Sequence, residues 1–586
     1  MLTGSSRRCV LSQQVALAIV GSGGDGAVAA GEIVAIACSG VGLHVMKTEA
    51  YGPQIRGGES SCTVRLSTTP VRAQAGAVDA LVVFSWDDFA RFSDEIAVAG
   101  RGIVLHEEGD SAPEGLARTT IGVPFARLAK EAGAPQAKNI AALGVLSALL
   151  GLPADAIRAA VKQRFAKKKA GVVETNLRAF DSGEAFAREL TVQIEPLSYT
   201  PGPAHLLMSG NEACAVAAVD AGCRFFAGYP ITPSSEILHF LAEWLPRIGG
   251  SSLQTEDELA AIGAVIGASF AGVKSMTATS GPGLSLMAEM LGLASIAEIP
   301  AVIVNVQRGG PSTGIPTKSE QSDLLHALYA SHGDTPRAVI ACSDVADAYH
   351  ATVDAFNIAE EFQVPVIVLS DQLVGQRKET IDADTLVHDV RERRLAPQHE
   401  LDETYRRYAA GDDGVSPMTI PGMPGGMYQT NGLEHDERGR PSAIYGVHER
   451  MNGKRYRKME AIARKYPLFR RYGPARARLG ILCWGSAEGV VCEALDRIGD
   501  VSVAAFVPRM LAPLPTAELQ KFVDACDEIL IVELSFSAQF HRYLRTEIDL
   551  PRGRTHVHAR SGGKPLTADE VVDAATRVLA AEEVLV

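Results

Sequence analysis

The amino-acid sequence predicts an α/β protein made of several domains, each an open and mostly parallel sheet. Short apolar runs of strand length alternate along the chain with helix-length stretches. Glycine-rich turns separate them, with 56 glycines in 586 residues. One run, Pro365–Ser370, is apolar almost throughout, as expected for a strand covered on both faces. At about 100–200 residues per domain the length predicts about three or four domains. A hydrophobic fraction of 46% with 21% charged residues supplies enough apolar material for several cores.

The first domain is expected over residues 1–195. It opens with a strand at Gln14–Val20, the cluster Gly21-Ser22-Gly23-Gly24-Asp25-Gly26 and a helix over Ala27–Cys38. Further strands are expected at Ala80–Phe84 and Gly102–His106. Three prolines and a glycine between Pro196 and Ala204 mark a linker over 196–205, joining two separately built units. The second domain, 206–380, has candidate helices at Glu212–Ala221, Pro233–Trp244, Asp257–Ala271 and Gly283–Ala297. Its candidate strands are Lys274–Ala278, Ala301–Val306 and Pro365–Ser370. From 381 to 474 the periodicity fades, and Pro421-Gly422-Met423-Pro424-Gly425-Gly426 is a loop signal; a long irregular stretch of this kind is functional or wraps a partner. Alternation returns over 475–586, with strands at Leu479–Cys483, Val501–Phe506 and Glu528–Val532 and an amphipathic helix over Thr567–Ala581.

A net charge of −13 argues against nucleic-acid binding, which needs a basic face. The nine cysteines are scattered with no Cys-x-x-Cys pair, so neither a structural zinc site nor an iron–sulfur cluster is expected in this chain. Free thiols in a reducing cytoplasm are expected instead. No apolar run is long enough to cross a membrane.

Strand, Gly-x-Gly-Gly-x-Gly and helix together can bring backbone N–H groups to a phosphate, through Gly23, Gly24 and Gly26. A tight turn without a ligand fits equally well. Glu49 lies near the spacing of a dinucleotide-binding acid. Arg56, in Tyr51-Gly52-Pro53-Gln54-Ile55-Arg56-Gly57-Gly58, either meets an anion such as part of coenzyme A or belongs to a rigid turn packed on a neighbouring subunit.

Four elements then follow in order. Gly228-Tyr229-Pro230-Ile231-Thr232-Pro233 places Thr232 at a helix start, as an anion contact or as a plain N-cap. Gln254-Thr255-Glu256-Asp257-Glu258 sets three acids before a small-residue helix, more than a helix dipole needs. Thr279-Ser280-Gly281-Pro282-Gly283 is a tight turn into a helix. Val306-Gln307-Arg308-Gly309-Gly310, continuing to Thr317 and Lys318, puts Arg308 just past a buried strand, where parallel sheets gather ligands.

Together these motifs closely resemble the α subunit of 2-oxoacid:ferredoxin oxidoreductases. The N-terminal glycine cluster with Tyr-Gly-Pro-Gln-Ile-Arg-Gly-Gly is similar to that family's γ subunit. The resemblance covers nearly the whole chain, and such a γ–α fusion looks most like the 2-oxoglutarate-type enzymes. It implies a γ-type domain, a thiamine-diphosphate pyrimidine-binding domain and a transketolase C-terminal-like domain. It also implies thiamine diphosphate shared between subunits, with an acid at the aminopyrimidine N1′. Glu258 takes that role by resemblance, with Glu256 as competitor. Ile262 and Val265 share its helix face, and burial there would suit it to sharing a proton. Tyr229, Pro230, Ile231, Ser280 and Gly281 are implied cofactor contacts. Arg308, Thr232 and Thr317 are implied contacts of the oxoacid, with Lys318 a candidate for a distal carboxylate. For Arg308 a structural salt bridge is the alternative.

Gly24-Asp25-Gly26 lacks the following Asn of the family's diphosphate motif. No residues for Mg²⁺ or a cluster are expected here. A β subunit is therefore implied to carry diphosphate binding, Mg²⁺ and the [4Fe–4S] centre, in a dimer of heterodimers working with ferredoxin and coenzyme A. Other substrates in view are pyruvate, a branched-chain 2-oxoacid and indolepyruvate. A reading from a different class is a non-catalytic subunit that binds coenzyme A or a nucleotide.

Overall fold

The computed structural model describes residues 13–52, 58–117, 119–192, 194–499 and 502–583. Arg56 lies outside them, as do Pro53 to Gly57 around it. The chain forms two compact units. One runs to Met208 and takes in Arg377–Thr385; the other comprises Ser209–Gln376 and Leu386–Val586.

The first unit is built on an eight-stranded sheet, in the order Thr119–Val123, Val98–Glu107, Val78–Val83, Gln14–Ser22, Glu59–Ser67, His44–Tyr51, Lys378–Ile381 and Leu206–Ser209. It is mixed, where the sequence predicts a mostly parallel sheet. Gln14–Ser22 runs parallel to Val78–Val83 but antiparallel to Glu59–Ser67, and His44–Tyr51 is antiparallel to Glu59–Ser67. The consecutive strands His44–Tyr51 and Glu59–Ser67 pair antiparallel with no helix between them, which the expected strand–helix alternation does not signal. The helix Ala27–Ser39 packs its apolar side into this unit's core with Leu17, Ile19, Cys62 and Val64.

The second unit holds two sheets. The larger runs Met510–Ala512, Ala338–Ala341, Pro365–Asp371, Ala301–Gln307, Ser275–Thr279, Phe225–Gly228 and Ser251–Gln254. Every pairing in it is parallel except that of the edge strand Met510–Ala512. The smaller runs Phe469–Tyr472, Val503–Pro508, Ala477–Leu482, Cys526–Glu533 and Thr555–Ala559, antiparallel only at Phe469–Tyr472. Each thus ends on an antiparallel edge, and residues 503–512 contribute one strand to each sheet. Ala301–Gln307 and Pro365–Asp371 are buried along their whole length, which explains their unbroken apolar character.

The weakly periodic segment carries a long helix, Tyr445–Lys465. It is anchored by an ion cluster: Lys454 Nζ and Lys458 Nζ each lie 2.5 Å from Glu298 Oε2, and Arg407 Nη2 donates to the Glu298 carbonyl at 2.7 Å. All four side chains are buried. The lysines and Arg407 hold the Glu298 carboxyl far below the usual carboxylate range. The eight described cysteines are buried and unpaired, and no helix among the described residues is long and apolar enough to cross a membrane.

Candidate active site

Four neighbouring parallel strands bring the four motifs together. Phe225–Gly228 leads into Tyr229, Ser251–Gln254 into the acidic triplet, Ser275–Thr279 into Ser280, and Ala301–Gln307 into Arg308. Residues far apart in sequence thus meet along one edge of the sheet, where backbone ends and helix starts face the same way.

The three acids divide their work. Asp257 caps the helix Glu258–Phe270, its Oδ1 accepting the Ala260 N–H at 2.8 Å. Glu256 is exposed. Glu258 is only 4% exposed, and Ile262 and Val265 on its face are fully buried. The cap fixes this choice: it starts the helix at Glu258, which turns that side chain inward with Ile262. Glu258 Oε1 lies 3.5 Å from Thr279 Oγ1, beneath the turn into the helix Gly281–Ile296. At Gly283 a Cβ would stand 2.4 Å from Glu258 Oε1 and 2.0 Å from Thr279 Oγ1, so only glycine leaves the carboxyl its space.

Arg308 is buried and donates from Nη1 to the Thr232 carbonyl at 2.5 Å. That carbonyl belongs to a tied-down loop: Asn211 Nδ2 donates to the Pro233 carbonyl at 2.8 Å, and Ser234 Oγ to the Ile231 carbonyl at 3.0 Å. Thr232 is not an N-cap. The next helix is Ser235–Trp244, and the preceding Ser234 makes no side-chain cap. Burial lowers the guanidinium below its ordinary value, opposed by the Asp323 and Glu258 carboxyls. An arginine nonetheless stays charged.

Two buried polar atoms here have no hydrogen-bond partner among the described residues, Arg308 Nε and Ser280 Oγ. Native proteins rarely leave such groups bare. A polar, partly anionic guest at this wall would satisfy both, so the residues present fit a thiamine pyrimidine ring and an oxoacid carboxylate.

Arg308 also lines a cleft of about 750 Å³, together with Gly281, Ser285, Gly309, Asp323 and His326. Thr317 and Lys318 are half-buried at the far end of the loop that starts at Gly309, where the Gly309 N–H donates to the Lys318 carbonyl at 2.9 Å. Neither lines the cleft. Tyr229, 41% exposed, and Pro230 stand out at the surface, with Ile231 half-buried behind them. The sequence reading missed Asn305 and Asp323. Its one signal was a lone Asn inside the apolar strand Ala301–Gln307, whose Nδ2 donates to Asp323 Oδ2 at 2.9 Å.

In the first unit the glycine cluster forms a turn. Gly26 adopts a left-handed φ of 75° as the residue before the helix Ala27–Ser39. The turn already contains an anion: Asp25 Oδ2 accepts the Ser22 N–H at 2.9 Å, and Oδ1 pairs with Lys138 at 2.6 Å. Glu49 is committed to Lys47 and the Tyr51 hydroxyl.

Comparison with known proteins gives the family. Residues 216–452 match the family described as pyruvate flavodoxin/ferredoxin oxidoreductase, thiamine-diphosphate-binding, and residues 16–186 match the pyruvate ferredoxin/flavodoxin oxidoreductase family. The 2-oxoglutarate synthase subunit KorA of Methanothermobacter thermautotrophicus is 40% identical over 58% of this chain and 90% of its own. The chain belongs to the 2-oxoacid:ferredoxin oxidoreductase family. Subunit alpha of 2-oxoacid:ferredoxin oxidoreductase 2 from Aeropyrum pernix is 31% identical over 96% of this chain and 98% of its own. The solved 2-oxoglutarate:ferredoxin oxidoreductase of Magnetococcus marinus, described with 2-oxoglutarate, coenzyme A and succinyl-CoA bound, superposes with a TM-score of 0.92. It is 35% identical and covers 97% of this chain and 99% of that one. The α/β class with several parallel-rich sheets, including a thiamine-diphosphate-binding domain, is therefore shared with this oxidoreductase family.

Proposed function

We propose that the chain is the non-iron-sulfur subunit of an enzyme that oxidatively decarboxylates 2-oxoglutarate to its acyl-CoA and CO₂, with ferredoxin taking the electrons, or runs the reverse. The observation that carries this is the buried Glu258 carboxyl in the space left by Gly283, on the same wall as a buried Arg308 with a bare Nε. The choice of 2-oxoglutarate rests on the relatives' names and on the ligands of the Magnetococcus enzyme.

Thiamine diphosphate, when bound, supplies the nucleophilic carbon and the electron sink that decarboxylation needs. Glu258 holds a proton toward the pyrimidine N1′. Ile262 and Val265 behind it keep water out, and Thr279 Oγ1 steadies Oε1. Ser280 Oγ and the turn at Gly281 line the same wall. Arg308 takes the oxoacid carboxylate in a charge-assisted contact, oriented by its bond to the Thr232 carbonyl. Holding a reactant in such a fork lowers the entropic part of the barrier. A β subunit completes the centre, with the diphosphate and Mg²⁺ site and the [4Fe–4S] cluster, in a dimer of heterodimers.

The test is co-expression with the β subunit and assay on 2-oxoglutarate, pyruvate, a branched-chain 2-oxoacid and indolepyruvate, with coenzyme A and ferredoxin. The highest kcat/KM is expected on 2-oxoglutarate, and none without the β subunit. A preference for another oxoacid overturns the substrate assignment, and turnover by this chain alone overturns the two-subunit reading.

A further inference from the structure

The cleft beside Arg308 contains two carboxyl groups with different commitments. Glu320 accepts on both oxygens, from Gly562 N at 2.8 Å, Ser322 Oγ at 2.7 Å and Gly310 N at 3.2 Å. It ties the Gly309 loop to the Gly562 turn. Among the described residues, the Asp323 carboxyl accepts a single hydrogen bond, from Asn305 Nδ2 to Oδ2 at 2.9 Å. Its Oδ1 has no donor among the described residues.

Asp323 is held in place. Its backbone N–H donates to Gln307 Oε1 at 3.1 Å, and Gln307 Nε2 in turn donates to the Ser370 carbonyl at 3.0 Å. The carboxyl lies against Gly281, whose Cβ, if present, would stand 2.9 Å from Oδ2 and 3.0 Å from Oδ1. It therefore lies at the turn that roofs Glu258, in the cleft that Arg308 also lines. The charged groups facing it are Arg308, His326 and Glu320, and Glu258 faces the same guanidinium. Burial raises its carboxyl above the ordinary range, while Asn305, His326 and Arg308 oppose the shift.

We propose that Asp323 is a catalytic acid–base residue that gives a proton to the substrate's 2-oxo oxygen and later takes it back. This rests on the reading of the site given above. A substrate carboxylate beside Arg308 would bring a further anion into the cleft that Asp323 shares with it, where Glu258 also acts on the guanidinium, and the added negative charge favours proton uptake by the carboxyl least held by donors. Glu258 is committed to the pyrimidine ring, and Glu320 to three donors. Asp323, with a free oxygen in the cleft, takes the proton as the substrate enters.

The proton account then closes. As the 2-oxo carbon is attacked, the carbonyl π pair moves to oxygen, and that oxygen takes the proton from Asp323, leaving a carboxylate. The bond to the departing CO₂ breaks and leaves its electron pair behind. Two electrons pass, one at a time, to ferredoxin. The acyl group then passes to coenzyme A: its bond to the sulfur forms as its bond to the attacking carbon breaks, the thiol proton goes to solvent, the substrate's O–H bond breaks, the carbonyl reforms and that proton returns to Asp323.

The experiment compares wild type, Asp323→Asn and Asp323→Glu as assembled enzymes. Asp323→Asn keeps the shape and can still accept from Asn305. Its kcat is expected to fall on the order of 10²–10⁴-fold, with KM for 2-oxoglutarate close to wild type, and Asp323→Glu is expected to recover part of the loss. Calorimetric titration of the thiamine-free assembly with 2-oxoglutarate, in two buffers of different ionisation enthalpy, reads the proton directly. Wild type is expected to take up a proton on binding and Asp323→Asn none. Wild-type kcat in Asp323→Asn, a defect confined to KM, or binding by wild type without proton uptake overturns the proposal, the last even if a variant fails to fold. A wild-type assembly inactive on every 2-oxoacid instead defeats the functional reading, and this inference with it.

Discussion

Gly283 and Glu258 share one space: a methyl group on the Gly283 Cα would stand 2.4 Å from the Glu258 carboxyl oxygen. The turn Thr279–Gly283 and the helix Glu258–Phe270 therefore interlock, and the acid reaches the wall where the cofactor ring is proposed to lie only because the helix opposite begins with glycine.

Gly283→Ala is accordingly expected to fold with a loss of about 1–3 kcal/mol from overpacking. The displaced carboxyl is expected to leave the assembled enzyme with weakened binding of thiamine diphosphate. Thermal melting and cofactor titration measure the two effects separately. Unchanged cofactor affinity would show that Glu258 does not depend on this gap.

Arg308→Lys keeps the charge but loses the fork and the directed bond to the Thr232 carbonyl. A charge-assisted hydrogen bond contributes about 1.5–3 kcal/mol, so KM for the oxoacid is expected to rise about 10–100-fold. Steady-state kinetics on the assembled enzyme would show this as a change mainly in KM. A change in kcat alone would move Arg308 from substrate binding to the chemical step.

Much of this was legible in the sequence, for stated physical reasons. Pro365–Ser370 reads as a buried strand because both its faces are covered. Glu258 and Arg308 stand at motif positions just past strands of one parallel sheet, with two further motif-bearing strands between them. The helix Tyr445–Lys465 was hidden because its inward stripe is Val447, Met451, Lys454, Arg455, Lys458, Ala461 and Ile462. The spacing is helical, but three of these seven buried residues are cations paired with carboxylates outside the helix, so apolar periodicity could not reveal it. Asp323 was missed for a similar reason: its neighbours Asn305 and Gly281 come from a strand and a helix start elsewhere in the sequence. Glu256 and Glu258 could not be separated until the capping bond of Asp257 fixed where the helix begins.

Removing the anion from that buried cluster should be severe. Glu298→Gln leaves Lys454 and Lys458 without their carboxylate, while Arg407 keeps its bond to the residue-298 carbonyl, and is expected to cost about 3–5 kcal/mol, read by chemical denaturation of the assembled enzyme. Lys458→Met removes one cation of three and keeps the shape of the stem, so its effect should be much smaller. Equal effects would mean that the cluster does not balance around Glu298.

The same lysine gives a pH signature. Burial, with Lys454 and Arg407 nearby and Glu298 opposing them, brings the Lys458 amine down to about 7 from its ordinary 10.5. Between those values the unfolded chain carries a proton that the folded one has released, so this group makes folding more stable as pH rises. Below about 7 both states are protonated and its slope vanishes. The stability of wild type relative to Lys458→Met should therefore increase from pH 7 toward 9. A difference that stays flat or falls across that range would place the charged amine in the folded state.

The most direct measurement is hydrogen–deuterium exchange at the thiamine C2 position in the assembled enzyme, compared among wild type, Glu258→Gln and Glu256→Gln. Exchange slowed on the order of 10²-fold or more in Glu258→Gln, with Glu256→Gln at the wild-type rate, is the predicted result. Rapid exchange in Glu258→Gln, or slowing confined to Glu256→Gln, would contradict the assignment of the buried acid on which this account of the site rests.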